Sequence, residues 1–227
     1  MSRLIIPQYN IGIPAAYLGA AAAPSGPAFV QQAVATDASG VPIVAFAPAA
    51  TNSVIMIISY LSTDGVDTNP RLTGGVSTSL TLASTSTVAG VVTEIWYAHV
   101  VGASHTAASF VGVEGTRCSF NVSEWSGLVN EAPERPSDSS ALASSTVTAG
   151  TDPPSSTSNV VIAAAAWTAD NYSSGPTEGY TRMTQTGGGA VFQEGAYLIQ
   201  ATNAEGFTQW TLTAPINWAT ASAIFGA

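Results

Sequence analysis

The sequence predicts an all-β fold, a jelly-roll-like β-sandwich built from two repeated halves with an extended N-terminal arm. Three observations lead to it. Short apolar stretches alternate with clusters of Gly, Ser, Thr, Asn and Pro, and no long amphipathic helical period takes over. The stretch Val91-Val92-Thr93-Glu94-Ile95-Trp96-Tyr97-Ala98-His99-Val100-Val101 reads as a central strand and has a weaker echo in Glu194-Gly195-Ala196-Tyr197-Leu198-Ile199-Gln200-Ala201. Pro7, Pro14, Pro24 and Pro27 punctuate an otherwise apolar beginning and prevent a long helix there.

Residues 1–27 are therefore read as an arm for subunit contacts. Its Ile5, Ile6, Tyr9, Ile11, Ile13, Tyr17 and Leu18 are the expected partner-binding residues, laid across another subunit or across the arm's own domain. The first six residues faintly resemble a signal peptide. Pro7, Gln8, Asn10 and Pro14 interrupt its apolar region, so the segment is expected to be retained.

One β-sandwich domain is expected over 28–227. Its strands are placed near 29–36, 41–46, 53–61, 78–84, 91–101, 107–113, 117–128, 141–148, 159–168, 190–200, 207–213 and 217–225. Turn chemistry separates them, as at Asp37-Ala38-Ser39-Gly40, Thr73-Gly74-Gly75 and Gly187-Gly188-Gly189. An internal repeat relates 53–128 to 159–227. Ser53 matches Asn159 at an offset of 106 (159 − 53), while Glu94 matches Glu194 and Trp125 matches Phe225 at an offset of 100. Two Greek keys closing one sandwich satisfy that pattern and hide sheet edges. Two separate domains are the alternative, with little for each half to bury. A Pro/Ser/Thr-rich excursion over 130–158, containing Pro133, Pro136, Pro153 and Pro154, joins the halves.

Hydrophobic residues make up 46% and charged residues 8% of the 227, well under the roughly 25% charge usual in globular proteins. A surface of Ser, Thr, Gly, Ala and Asn suits burial against neighbours. Five Arg and no Lys against fourteen Asp plus Glu give a net charge of −9, which disfavours nucleic acid and anionic membranes as partners. No apolar run approaches the ~20 residues of a membrane-spanning helix. Cys118, the single cysteine, is expected to be a buried, inert thiol.

No catalytic, cofactor-binding or metal-ligating set stands out, and the chain is expected not to be an enzyme. His99 and His105 have no metal-ligand spacing with Cys118 or with each other. Gly75-Val76-Ser77-Thr78-Ser79 lacks the second glycine and the following helix of a serine-hydrolase elbow. Glu94 and Glu194 hold equivalent repeat positions and could pair as glycosidase carboxylates, although surface acids are the expected reading. Asp64-Gly65-Val66-Asp67-Thr68-Asn69 lacks the later bidentate acid of a calcium loop and is expected to be a tight turn. Trp96, Trp125, Trp167, Trp210 and Trp218 are expected mostly in the core, with one or two exposed. Asn121 and Asn171 head glycosylation sequons that matter only in a eukaryotic secretory route.

The order of an apolar strand at Ser53–Leu61, a Gly/Thr turn region, Thr93-Glu94-Ile95-Trp96-Tyr97-Ala98 and Ser123-Glu124-Trp125-Ser126-Gly127 resembles a β-sandwich module of tailed-phage virion proteins. It is also similar to repeat modules of bacterial secreted surface proteins. The likeness runs over residues 29–227, and the Pro-rich arm departs from the secreted modules. The virion resemblance implies a structural protein, most like a capsid decoration or cement protein on the outer capsid surface, assembled in the host cytoplasm. Its partners would be the major capsid protein or other virion subunits, and it would be a homo-oligomer. The net negative charge agrees with the outer surface, because packaged genome would repel such a protein. A tail or head-fibre subunit is the alternative within the virion class. A carbohydrate-binding, lectin-like module of a secreted or surface protein, with a glycan as ligand, is the alternative outside it.

Overall fold

The computed structural model describes residues 26–37, 43–62, 69–75, 77–99, 101–102, 104–110, 118–153, 157–188, 191–202 and 205–227. Through them run β1 (Ala28–Asp37), β2 (Ile43–Ala45), β3 (Ser53–Leu61), β4 (Arg71–Thr73), β5 (Thr78–Ser79), β6 (Thr81–Val88), β7 (Val91–Ala98) and β8 (Ala107–Ser109). The chain continues with β9 (Cys118–Ser126), β10 (Glu134–Thr151), β11 (Asn159–Trp167), β12 (Tyr172–Ser174), β13 (Thr181–Arg182), β14 (Thr186–Gly188), β15 (Val191–Gln200) and β16 (Gly206–Gly226). The fold is all-β, and no α-helix occurs among the described residues. The arm residues Ile5, Ile6, Tyr9, Ile11, Ile13, Tyr17 and Leu18 lie outside the described residues, as do positions 64–68 of the candidate calcium turn.

Two antiparallel sheets dominate. The first has the order β1-β9-β3-β7-β6 and the second β10-β16-β11-β15-β13, with β12 on β16 and β14 on β15. Ranked by position along the chain within its own sheet, each follows the order first, fifth, second, fourth, third. The registers agree as well. Ile58 pairs with Glu94 and Phe120, and Ala165 pairs with Glu194 and Thr220, giving separations of 107, 100 and 100 residues (165 − 58, 194 − 94, 220 − 120). The first of these moves the sequence alignment of β3 with β11 by one residue. Each of the two sheets draws its strands from one half, so the described pairings give two sheet-rich regions and neither a closed barrel nor jelly-roll connectivity.

The sheets pack face to face around Ile55, Ile57, Ile95, Trp125, Val160, Ile162, Ala164, Ala221, Ala223 and Phe225. The contacts are reciprocal: β7 lies over β11 and β16, and β15 over β3 and β9. The outer face of the first sheet is covered by a small sheet of order β2-β8-β4-β5, whose Leu72 and Ala108, with the flanking Phe46, Leu80 and Phe110, meet Val54, Met56, Ile58 and Phe120. The second sheet covers its outer face with its own strands. β10 and β16 form a long ribbon that breaks register around Ser144, next to Ala143 with φ of 48°, and folds back. Thr220 Oγ1 donates to the carbonyl of Thr148 at 2.8 Å and Ser222 Oγ to that of Gly150 at 2.9 Å, tying the returned part down. Val147, Ala149, Trp210 and Leu212 then close over Val161, Ala163 and Ala165.

Most strands fall where the sequence places them. The differences have local causes. β4, β12, β13 and β14 are two- or three-residue strands, and three of them overlap or adjoin stretches rich in Gly, Ser and Thr that read as turns. The two strands expected at 207–213 and 217–225 are one continuous β16, because the bend at Pro215 is shared with β10 and does not interrupt the ribbon. The excursion supplies an 18-residue strand, β10, longer than the expected 141–148.

Candidate functional site

The buried glutamates of the fold lie on the outer faces of the two sheets. In β15, Gly195 faces the first sheet, while Glu194 and Ala196 face the folded ribbon. The Glu194 side chain is fully buried. Its Oε1 accepts from Trp210 Nε1 at 3.0 Å, and Arg182 Nη2 lies 2.8 Å from Oε2. Burial pushes the Glu194 carboxyl up to about 7, against the opposing pull of Arg182 and the Trp210 indole. Arg182 is itself steered: it donates to Gln185 Oε1 at 2.7 Å and sits 4.4 Å from the centroid of the Tyr172 ring. The Tyr172 phenol is raised by burial and by the Glu194 carboxylate, with Arg182 opposing.

Glu94 occupies the matching place in the first sheet. It accepts from Tyr60 Oη at 3.0 Å and from Trp96 Nε1 at 2.9 Å. Each acid thus carries an indole partner on the outer face of its own sheet, with the inter-sheet core between the two. The pair expected as surface acids is buried, and the fold separates the two carboxylates, so no glycosidase-type pair forms.

Glu124 is a third buried acid that the sequence reading did not single out. Its carboxylate accepts from Ala49 N at 2.8 Å, from Asn52 Nδ2 at 2.6 Å and from Gln31 Nε2, holding the 46–52 segment against β9 and β1. The available signal was an acid placed between Val122 and Trp125 in an apolar run, where it needs partners to remain inside.

The remaining candidates are structural. His99 Nδ1 meets Ser53 Oγ at 3.1 Å, and burial lowers the pKa of this histidine, against a backbone hydrogen bond involving Glu131. Ser53 is buried, so this contact offers no accessible nucleophile. His105 is buried near Thr78 Oγ1 at 3.4 Å, and Cys118 is buried. Among the described residues no group of three or more His, Cys, Asp or Glu could hold a metal ion. Trp125, Trp167, Trp210 and Trp218 are buried and Trp96 is half-buried, so no tryptophan platform faces solvent. Asn121 is buried in β9, where a glycan could not be attached to the folded chain. No family model matches this chain, and no curated protein or solved structure matches it either.

Proposed function

We propose that this chain is a structural virion protein, a capsid decoration or cement protein that stabilises the outer shell through non-covalent contacts with the major capsid protein and with copies of itself. The observation that carries the reading is the use the fold makes of its acids. Glu94, Glu124 and Glu194 are buried and bind neighbouring strands, so the groups best suited to catalysis act as pins in a scaffold. The two face-to-face sheets are read as one β-sandwich of two repeated halves.

Contacts with neighbours would use what remains outside. β1 is an outer strand of the first sheet and carries mostly Gln, Ala and Val, the kind of weakly charged edge on which another chain can add. The arm would contribute Ile5, Ile6, Tyr9, Ile11, Ile13, Tyr17 and Leu18 as an apolar staple, at roughly 25 cal/mol per Å² buried before ordering costs. Many weak contacts then combine through multivalency. A net charge of −9 favours the outside of a shell filled with nucleic acid.

Removal of residues 2–25 tests this role. The deletion stops before Gly26, whose φ of 85° and close approach to Gly127 belong to the folded part. The truncated chain is expected to unfold at the same temperature as the full chain and to lose its occupancy on particles. Unchanged occupancy contradicts the stapling role.

A further inference from the structure

Three exposed large apolar side chains, Val129, Ile199 and Phe207, gather at the end of the body where the arm joins it. Gly26, the first described residue, packs against Ser158: a Cβ on it would lie 3.2 Å from Ser158 Oγ. The residue after Ser158, Asn159, pairs with Gly226 on one side and with Gln200 on the other. Val129 N donates to the Gly226 carbonyl at 3.0 Å, and Ile199 precedes Gln200 in β15. Phe29 stacks on Tyr197 with ring centroids 5.4 Å apart, so the start of β1 runs beside the same end of β15. Leu198, Ile199 and Phe207 line a groove of about 470 Å³ there, together with Glu178 and Glu205. A second groove, of about 520 Å³, holds Arg135 and Asp152 and shares Glu205 and Phe207 with the first.

The arm suits the first groove in pattern and in charge. Tyr9-Asn10-Ile11-Gly12-Ile13 alternates large apolar residues with polar or small ones, the spacing that gives an extended segment one apolar face. Arg3 is the one charged residue before Asp37, so residues 26–227 carry a net charge of −10 (−9 − 1) and the arm is the positive part of an acidic chain. Its length points to a second copy. Residues 14–25, twelve in number (25 − 13), span up to about 40 Å when extended, whereas the chain's own groove begins roughly one strand spacing, ~5 Å, beyond Ser158. We propose that residues 9–13 of one copy seat in the Ile199–Phe207 groove of a second copy, in a reciprocal exchange of arms across a twofold axis. Tyr9, Ile11 and Ile13 cover Ile199 and Phe207, and Arg3 brings the arm's positive charge toward the acids of the rim. Arm entry and groove share one end of the body, so each copy gives and receives at the same interface and the assembly closes at two. The seat presupposes the stapling role of the arm and names where it grips a copy of itself.

Analytical ultracentrifugation of the full chain tests the exchange. A dimer of about micromolar affinity is expected, and removal of residues 2–25 should leave a monomer. Phe207→Asp adds a carboxylate near Glu205 and should weaken the dimer about tenfold, without moving the unfolding temperature of the dilute monomer, because the ring is 47% exposed. Arg3→Glu should weaken it several-fold at low salt and less at high salt. p-Benzoylphenylalanine in place of Tyr9, in a chain mixed with heavy-isotope-labelled wild type, should cross-link to the labelled peptide that contains Ile199 and Phe207. A full chain that stays monomeric, a dimer that Phe207→Asp leaves intact, or cross-links confined within one chain would each overturn the exchange. Loss of particle occupancy on removing residues 2–25, alongside a monomeric full chain, would sink the exchange and leave the stapling of other virion subunits standing; unchanged occupancy with a groove-dependent dimer would do the reverse.

Discussion

Burying a carboxylate penalises its charged form, and Glu194 bears that penalty most clearly. Its folded value of about 7 lies above the ordinary 4.5. Between those pH values the folded chain keeps a proton that the unfolded chain releases, so the contribution of this group to stability is full below pH 4.5 and is lost as pH rises through 7. The unfolding midpoint is expected to fall between pH 5 and pH 8, by an amount reflecting on the order of 3 kcal/mol from this group. Glu194→Gln should flatten that fall, and an undiminished fall in the variant would contradict the assignment. Arg182→Ala should destabilise more at pH 8 than at pH 5, because the guanidinium offsets a charge present only at the higher pH. Residue identity made Glu94 and Glu194 legible as equivalents. It did not reveal their burial, because the covering strands lie outside each acid's own strand and Trp210 reaches Glu194 from sixteen residues away.

At the scale of elements, a strand alternates when one face is wet, and several of these strands have no wet face. β3 and β11 are buried almost throughout, and Val91 to Ile95 of β7 are buried on both sides. That is why odd and even positions of β7 are equally apolar and why its register could not be read from the sequence. Two local features are open to test. β6 turns into β7 through Ala89 and Gly90, with φ of 43° and 86°, a two-residue hairpin turn that requires the left-handed region twice. Ala89→Asn should stabilise by up to about 1 kcal/mol, read as a higher unfolding midpoint, since Asn tolerates that region better than Ala. A lower midpoint would contradict the turn assignment. Gly195 lies where the sheets meet, and a Cβ there would come 2.7 Å from Ile57 Cδ1 and 2.8 Å from Met183 Sδ. Gly195→Ala should therefore cost about 1–3 kcal/mol in chemical denaturation, and a neutral result would mean that the ends of the Ile57 and Met183 side chains give way.

At the scale of the molecule, one strand order occurs twice and the two sheets grip each other reciprocally, as the subunits of a twofold dimer do. The all-β class was legible because Gly, Pro and Ser clusters punctuate short apolar runs. The separation of the halves into two sheets was not, because repeat matching says which strands correspond and nothing about which strands pair. The fold-back of β10 and β16 was equally hidden: Pro215 and the Ser/Thr-rich excursion look like a break and a linker until both strands bend together. The groove beside Phe207 depends on that bend, which brings Arg135 near Asp152 and Phe207, and no local motif announces it. As proposed, this all-β body binds neighbouring subunits of a shell. Its most direct test is a cryo-electron microscopy reconstruction of particles assembled with the full chain. The expected map has the all-β body on the outer surface and residues 4–18 lying against an adjacent subunit. Bare particles, with the chain a monomer in solution and residues 4–18 packed on its own sheets, would contradict it.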